Sequence, residues 1–133
     1  MAELDYTVAT DKPVDEAIQA LQSALAERKF SALWHLHVNE KLREKGFHLE
    51  PDFHIFEVCN PAKAKQALET DQKVGYLLPC KIVVYADRND GNRTKIGLLR
   101  PQTLIGLLDD ERLRDLANEV EQELRAAVDA AAR

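Results

Sequence analysis

The strongest constraint on this chain is a strand-like run at residues 76–86, Tyr-Leu-Leu-Pro-Cys-Lys-Ile-Val-Val-Tyr-Ala. Its β-branched and aromatic residues favour a strand. Asp90-Gly91 follows and is typical of a tight turn that leads into a second strand, predicted over 94–99. Pro79 has no N–H to donate, so we expect it at an edge, a bulge or the strand start. Such a hairpin belongs to an antiparallel sheet, which other parts of the chain must cover.

The other elements are predicted from apolar residues that recur every two positions or every three to four. This spacing places strands at 3–9, 31–38 and 53–59, long helices at 14–28 and 110–131, and short helices at 40–45, 61–70 and 102–108. The order is β-α-β(4)-α with short helical insertions. It predicts an α+β fold of two layers, a mostly antiparallel sheet packed on two long helices. No linker interrupts the pattern, so residues 1–133 are predicted to form a single domain.

Charge and hydropathy exclude several classes of protein. The chain has 18 basic and 23 acidic residues, a net charge of −5, and most of the excess lies on the last predicted helix. No segment is basic enough to bind nucleic acid. No apolar run approaches the ~20 residues of a membrane span, and the first residues lack the pattern of a secretory signal. We therefore expect a cytoplasmic protein with no nucleic-acid or membrane partner.

The two cysteines stand in the most distinctive motifs. Cys59 precedes Asn60-Pro61, a strong helix start in which Asn60 would cap the helix. A thiolate at that position would be stabilised by the helix dipole. Cys80 shares its predicted strand face with Ile82 and Val84. If the two thiols meet, they could form a redox pair or a metal site. The alternative is that each is buried as a small apolar residue.

Histidines suggest a second candidate site. His35 and His37 lie two positions apart, so they share one face of the predicted strand, as a metal site on a sheet requires. His54 could add a third ligand if the strands pair. On the predicted 53–59 strand, His54 and Glu57 point to opposite faces. Glu57 shares its face with Cys59 and is a candidate ligand or redox residue. Either His54 or Glu57 points inward. The alternative is that the paired histidines are surface or interface residues.

The predicted sheet has more apolar surface than two helices can cover. We expect Tyr6 and Val8, together with Trp34, Leu36 and Val38, to face the helices. The 53–59 strand is apolar on both faces, so the far side of the sheet also needs a cover. This pattern predicts a homodimer or a ligand pocket.

No familiar catalytic motif is present, neither GxGxxG, a phosphate-binding loop, HExxH nor GxSxG. The sequence therefore leaves open whether any reaction is catalysed and which cofactor, if any, is used. Its main functional interpretation is a domain that binds a small ligand or a metal at a cysteine-containing site. The alternatives are a thiol redox protein or enzyme that uses Cys59 and Cys80, and a structural or interaction module.

The run from Phe53 to Tyr85, with its C-N-P and L-P-C motifs, resembles the domain of unknown function 302 family. The resemblance covers residues 4–130 and implies a two-layer fold similar to the TATA-binding protein, commonly dimeric. It implies neither a reaction nor DNA binding. The family's two cysteines correspond to Cys59 and Cys80. Its members often carry an acid at the position of His37 and a glycine at that of Lys29, which sets the histidine pair apart from the family pattern.

Overall fold

The computed structural model of the chain describes residues 3–133. The strands are β1 (Asp5–Thr10), β2 (Ser31–His37), β3 (Phe53–Cys59), β4 (Cys80–Asp87) and β5 (Arg93–Leu99). The helices are α1 (Val14–Glu27), α2 (Val38–Glu44), α3 (Pro61–Thr70), α4 (Pro101–Gly106) and α5 (Arg114–Ala132), with 3₁₀ turns at Gln72–Tyr76 and Glu111–Leu113. The predicted α+β fold is confirmed.

The five strands form one antiparallel sheet in the order β1-β5-β4-β3-β2. The predicted hairpin joins β4 to β5, and its turn contains Gly91 with a φ of 58°. Pro79 directly precedes β4, which is the strand-start position that its missing N–H allows. The predicted strand over 76–86 begins four residues too early, because residues 72–76 form a 3₁₀ turn instead.

One face of the sheet packs against the two long helices. Its central side chains are fully buried with those of α1 and α5: Phe56, Ile82, Val84, Ile96, Leu98, Leu21, Leu25, Leu124 and Val128. Burying each such side chain stabilises the fold by roughly 1.5–3 kcal/mol. A smaller cluster of Ala67, Val74, Leu113 and Leu116 lies beside this main core, between α3 and the start of α5.

The expectation about which face the β2 side chains occupy needs correction. In β2, Trp34 and Leu36 do not cover the helices: they pair with Glu57 and Ile55 on the opposite face, and Val38 begins α2. His35 and His37 point to the helix side instead. The prediction failed because the open face is itself apolar, so an apolar side chain does not identify the helix side. Tyr6 and Val8 do pack against the main core, as predicted.

The second face of the sheet is open. It carries Leu36, Ile55 and Val83 along its middle, and the Phe53 and Tyr85 rings stack on it with centroids 5.0 Å apart. These side chains are only partly buried, and within residues 3–133 no element lies over them. No helix in that described part of the chain has the length and apolar character needed to cross a membrane.

Candidate functional site

Three histidines and an aspartate meet at the β2–β3 edge of the sheet. His37 pairs with His54 across the two strands and His35 pairs with Phe56, so all three imidazoles lie on the helix side. The question left open by the sequence is thereby answered: His54 points inward and is only 6 % exposed, whereas Glu57 lies on the open face. Together with Asp52, these side chains form the histidine–aspartate cluster.

Asp52 was not predicted from the sequence. It precedes β3 by one residue and lies two positions before His54, so extending the strand by one residue would have placed the two on one face. Buried Asn39 holds its loop: the amide nitrogen donates to the carbonyls of Leu49 and Pro51 at 3.0 and 2.7 Å, and Oδ1 accepts from Phe53 N at 2.8 Å. Asn39 therefore anchors the loop that carries Asp52.

Contacts within the cluster are short. Asp52 Oδ1 lies 2.9 Å from His37 Nε2 and 3.0 Å from His54 Nε2. His35 Nε2 is 2.8 Å from His54 Nδ1. The rings of His37 and His54 stack with centroids 4.2 Å apart and planes 7° apart. His37, Asp52 and His54 each present one donor atom, all within 4.8 Å of one another, so this set could hold a metal ion.

Burial favours the neutral form of two imidazoles in the cluster, those of His54 and His35. It lowers the pKa of His54, with Asp52 acting in the opposite direction. Burial also lowers the pKa of His35, and the neighbouring His37 adds to that effect. Neutral imidazole is the form that binds metals.

Both cysteines line one cavity, here called the cysteine cavity, of about 70 Å³ between the sheet, α3, α4 and α5. Val58, Leu78 and Leu99 line it from the sheet side. Small and aliphatic residues line it from the helices: Ala64, Ala67, Pro101, Leu104, Ile105, Leu116, Ala117 and Val120. It lies where the main core meets the smaller one. The two motifs therefore come together in space, as a shared site requires. Glu57, on the open face, is not part of the lining.

The electrostatics around the thiols differ from the sequence-based expectation. Burial raises the pKa of Cys59, and burial together with the nearby Cys59 raises that of Cys80 to about 11. Asn60 does cap α3, accepting from Lys63 N at 3.2 Å. The side chain of Lys63, however, is paired with Glu119 at 2.9 Å. Both sulfurs are therefore protonated at neutral pH, and the expected thiolate at Cys59 is not supported.

Comparison with known proteins places the chain in one group. The family described as "Domain of unknown function DUF302" matches residues 6–131. A solved structure, the crystal structure of an uncharacterized conserved DUF302 protein from Bacillus stearothermophilus, is 39 % identical. The alignment covers 99 % of this chain and 100 % of that one, with a TM-score of 0.92. Among the curated proteins, none matches.

Proposed function

Because the chain belongs to the DUF302 family, whose name specifies no activity, we propose a function from the geometry: the protein binds a small, uncharged, apolar molecule in the cysteine cavity. One observation carries the proposal. The two most distinctive motifs of the sequence, Cys59-Asn60-Pro61 and Leu78-Pro79-Cys80, supply residues to the wall of the same cavity. The class of ligand follows from the lining, which is almost entirely apolar.

The cavity is larger than close packing normally leaves. Protein interiors contain few voids bigger than one water molecule. The apolar wall of this cavity is partly open to solvent, so side-chain surface there is left without packing partners. Water would satisfy this surface poorly, because a bound water needs two to four polar partners. The only side-chain oxygen of Asn60 already accepts a hydrogen bond from Lys63 N. An apolar ligand would pack against that surface, which favours occupancy.

The cysteines are better suited to contact a ligand than to attack it. Thiolate is the reactive form of cysteine, and both pKa values are raised. A protonated thiol is polarisable and only weakly polar, so it suits contact with an apolar molecule. Both cysteines are also unbridged, which is the state that a reducing compartment maintains. We therefore propose a cytoplasmic location as well.

Xenon and benzene test the cavity directly, because dry apolar cavities accept both. Methyl-labelled protein is titrated with each probe and followed by NMR. We expect shifts in the methyl groups that line the cavity, such as those of Val58, Leu78 and Ile105. In Ala64→Leu and Ala67→Leu, the added carbons occupy the cavity and should abolish those shifts. Ala62→Leu is the matched control, since Ala62 is on the same helix but exposed and outside the lining.

Two results would count against the proposal. Lining methyl groups that stay unchanged at saturating probe would show that the cavity accepts nothing. Shifts that persist in both filled variants would place the binding elsewhere.

The thiol redox alternative is tested separately by reaction of the native protein with DTNB. We expect the native thiols to react more slowly than an unhindered thiol, whereas fast reaction at neutral pH, lost in Cys59→Ser, would favour the redox function.

A further inference from the structure

The histidine–aspartate cluster is separate from the cysteine cavity and shares no residue with its lining. His37 stands at the end of β2, His54 in β3, and Asp52 in the loop that Asn39 anchors. Their donor atoms face one another at the edge of the sheet. The side chains of His37 and Asp52 are 30 % and 40 % exposed, so an ion can reach the cluster from solvent.

His54 Nε2 is the atom that most clearly lacks a partner. It is buried, and within the described chain it makes no hydrogen bond. Asp52 Oδ1 lies 3.0 Å away, but the ring is not oriented to donate to it. A buried polar atom without a partner destabilises a fold. A cation placed between this nitrogen and the carboxylate would satisfy both.

The other ring nitrogen of each proposed ligand also has a neighbour, and that of His54 is within hydrogen-bond distance of it. His54 Nδ1 lies 2.8 Å from His35 Nε2, and His37 Nδ1 lies 3.5 Å from Glu40 Oε1. Such outer contacts hold a ligand imidazole in one tautomer and one orientation. His35 is therefore the residue that positions His54, a different role from the direct ligand that the sequence suggested.

We propose that His37 Nε2, His54 Nε2 and Asp52 Oδ1 bind a divalent first-row transition metal, with His35 positioning His54. Two imidazoles and one carboxylate suit Zn²⁺, Fe²⁺ or Co²⁺, whereas Mg²⁺ and Ca²⁺ prefer oxygen ligands alone. Three protein ligands leave the outward positions of the metal to water. Zn–N bonds are about 2.0–2.1 Å long, so the two stacked rings must tilt until their lone pairs converge. The His37 side chain is 30 % exposed, so its ring is less confined than that of His54.

The test uses the full chain, without a histidine tag and stripped of metal by chelator. Co²⁺ is added while visible absorption is recorded, and Zn²⁺ is then added to displace it. We expect one Co²⁺ per chain in the wild type, with the absorption of a nitrogen- and oxygen-ligated site. His54→Ala and the nearly isosteric Asp52→Asn should lose the signal. His35→Ala should weaken binding by about 10- to 100-fold without removing it, as a positioning residue does.

His48→Ala is the matched control. His48 belongs to the same region of the chain, but it lies 3.4 Å from Glu50 with its side chain 75 % exposed, outside the cluster. Its loss should leave the titration unchanged. Circular dichroism of each variant checks folding, and Asp52→Asn keeps the test valid if His54→Ala fails to fold. Absence of stoichiometric Co²⁺ and Zn²⁺ binding in the folded wild type would overturn the proposal. So would full binding in folded Asp52→Asn, or equal loss in His48→Ala.

Discussion

At the scale of single residues, folding strongly changes the ionisation of the Cys80 thiol. Its pKa is about 11 in the folded protein, against an ordinary value of 9.0. Below pH 9 the thiol is protonated in both the folded and the unfolded chain. Between pH 9 and 11 only the unfolded thiol ionises, which stabilises the unfolded state.

Alkaline pH should therefore weaken the fold through Cys80. A shift of two pKa units corresponds to at most about 3 kcal/mol, lost progressively between pH 9 and 11. The measurement is the free energy of unfolding by urea from pH 7 to 11, in the wild type and in Cys80→Ala. Tyrosines and lysines titrate in both proteins, so the difference between the two curves isolates Cys80. Parallel curves across this range would contradict the prediction.

Residue-level reasoning recovered part of each candidate site. The spacing of His35 and His37 was enough to place them on one face, because alternation in a strand is local. The spacing did not show whether that face points inward, because this depends on which side of β2 the helices lie. Asp52 was missed because it lies outside the strand, and its position is determined by Asn39 and the loop contacts.

At the scale of elements, the Thr7 side chain of β1 occupies the space beside Gly97 of β5. Gly97 in β5 faces Thr7 in β1, and a Cβ at residue 97 would lie 2.6 Å from Thr7 Oγ1 and 3.4 Å from Thr7 Cβ. Contacts this short force Thr7 to move. The glycine therefore allows the two strands to pair along their full length.

Gly97→Ala should destabilise the protein by about 1–3 kcal/mol in urea denaturation, because the new methyl group overlaps Thr7. The double variant Gly97→Ala/Thr7→Ala removes the overlapping hydroxyl and should recover much of the loss. Gly106→Ala is the control, since a Cβ there meets no atom within 4 Å. A loss equal in the single and double variants would show that the contact with Thr7 is not the cause.

Most elements could be predicted because each follows from the local spacing of apolar residues along the chain. Helix α1 begins at Val14, as its apolar spacing indicates, and β3 has the predicted bounds 53–59. The start of β4 was harder to predict, because Tyr76 and Leu77 favour strands by residue type alone. In the structure, residues 72–76 form a 3₁₀ turn instead, and its Val74 is buried in the smaller core.

At the scale of the whole molecule, the open face of the sheet is an apolar surface that stays partly exposed within residues 3–133. Its middle row is apolar, and Trp34 at its edge is 47 % exposed. Apolar patches of this kind usually mark an interface. A second copy of the chain presents the same apolar row, so the two faces suit each other in a symmetric pair.

We expect the protein to form a homodimer through this face. Analytical ultracentrifugation over a range of concentrations should show a dimer for the wild type and a monomer for Val83→Lys, which puts a charge in the middle of the face. Gln22→Lys adds the same charge on the exposed side of α1 and should leave the dimer intact. A wild type that stays monomeric at every concentration would exclude this arrangement.

The pairing of β1 with β5 also bears on how the chain folds. Asp5 pairs with Leu99, and Thr10 Oγ1 donates to the carbonyl of Ala132 at 2.8 Å, so the strand partner of β1 and its contact with α5 come late in the sequence. Such contacts require a very long loop to close before they stabilise anything, and a high contact order slows folding. On a ribosome, β1 would emerge long before its partners. The sheet therefore cannot be completed until β5 has been synthesised, and its contact with α5 forms later still.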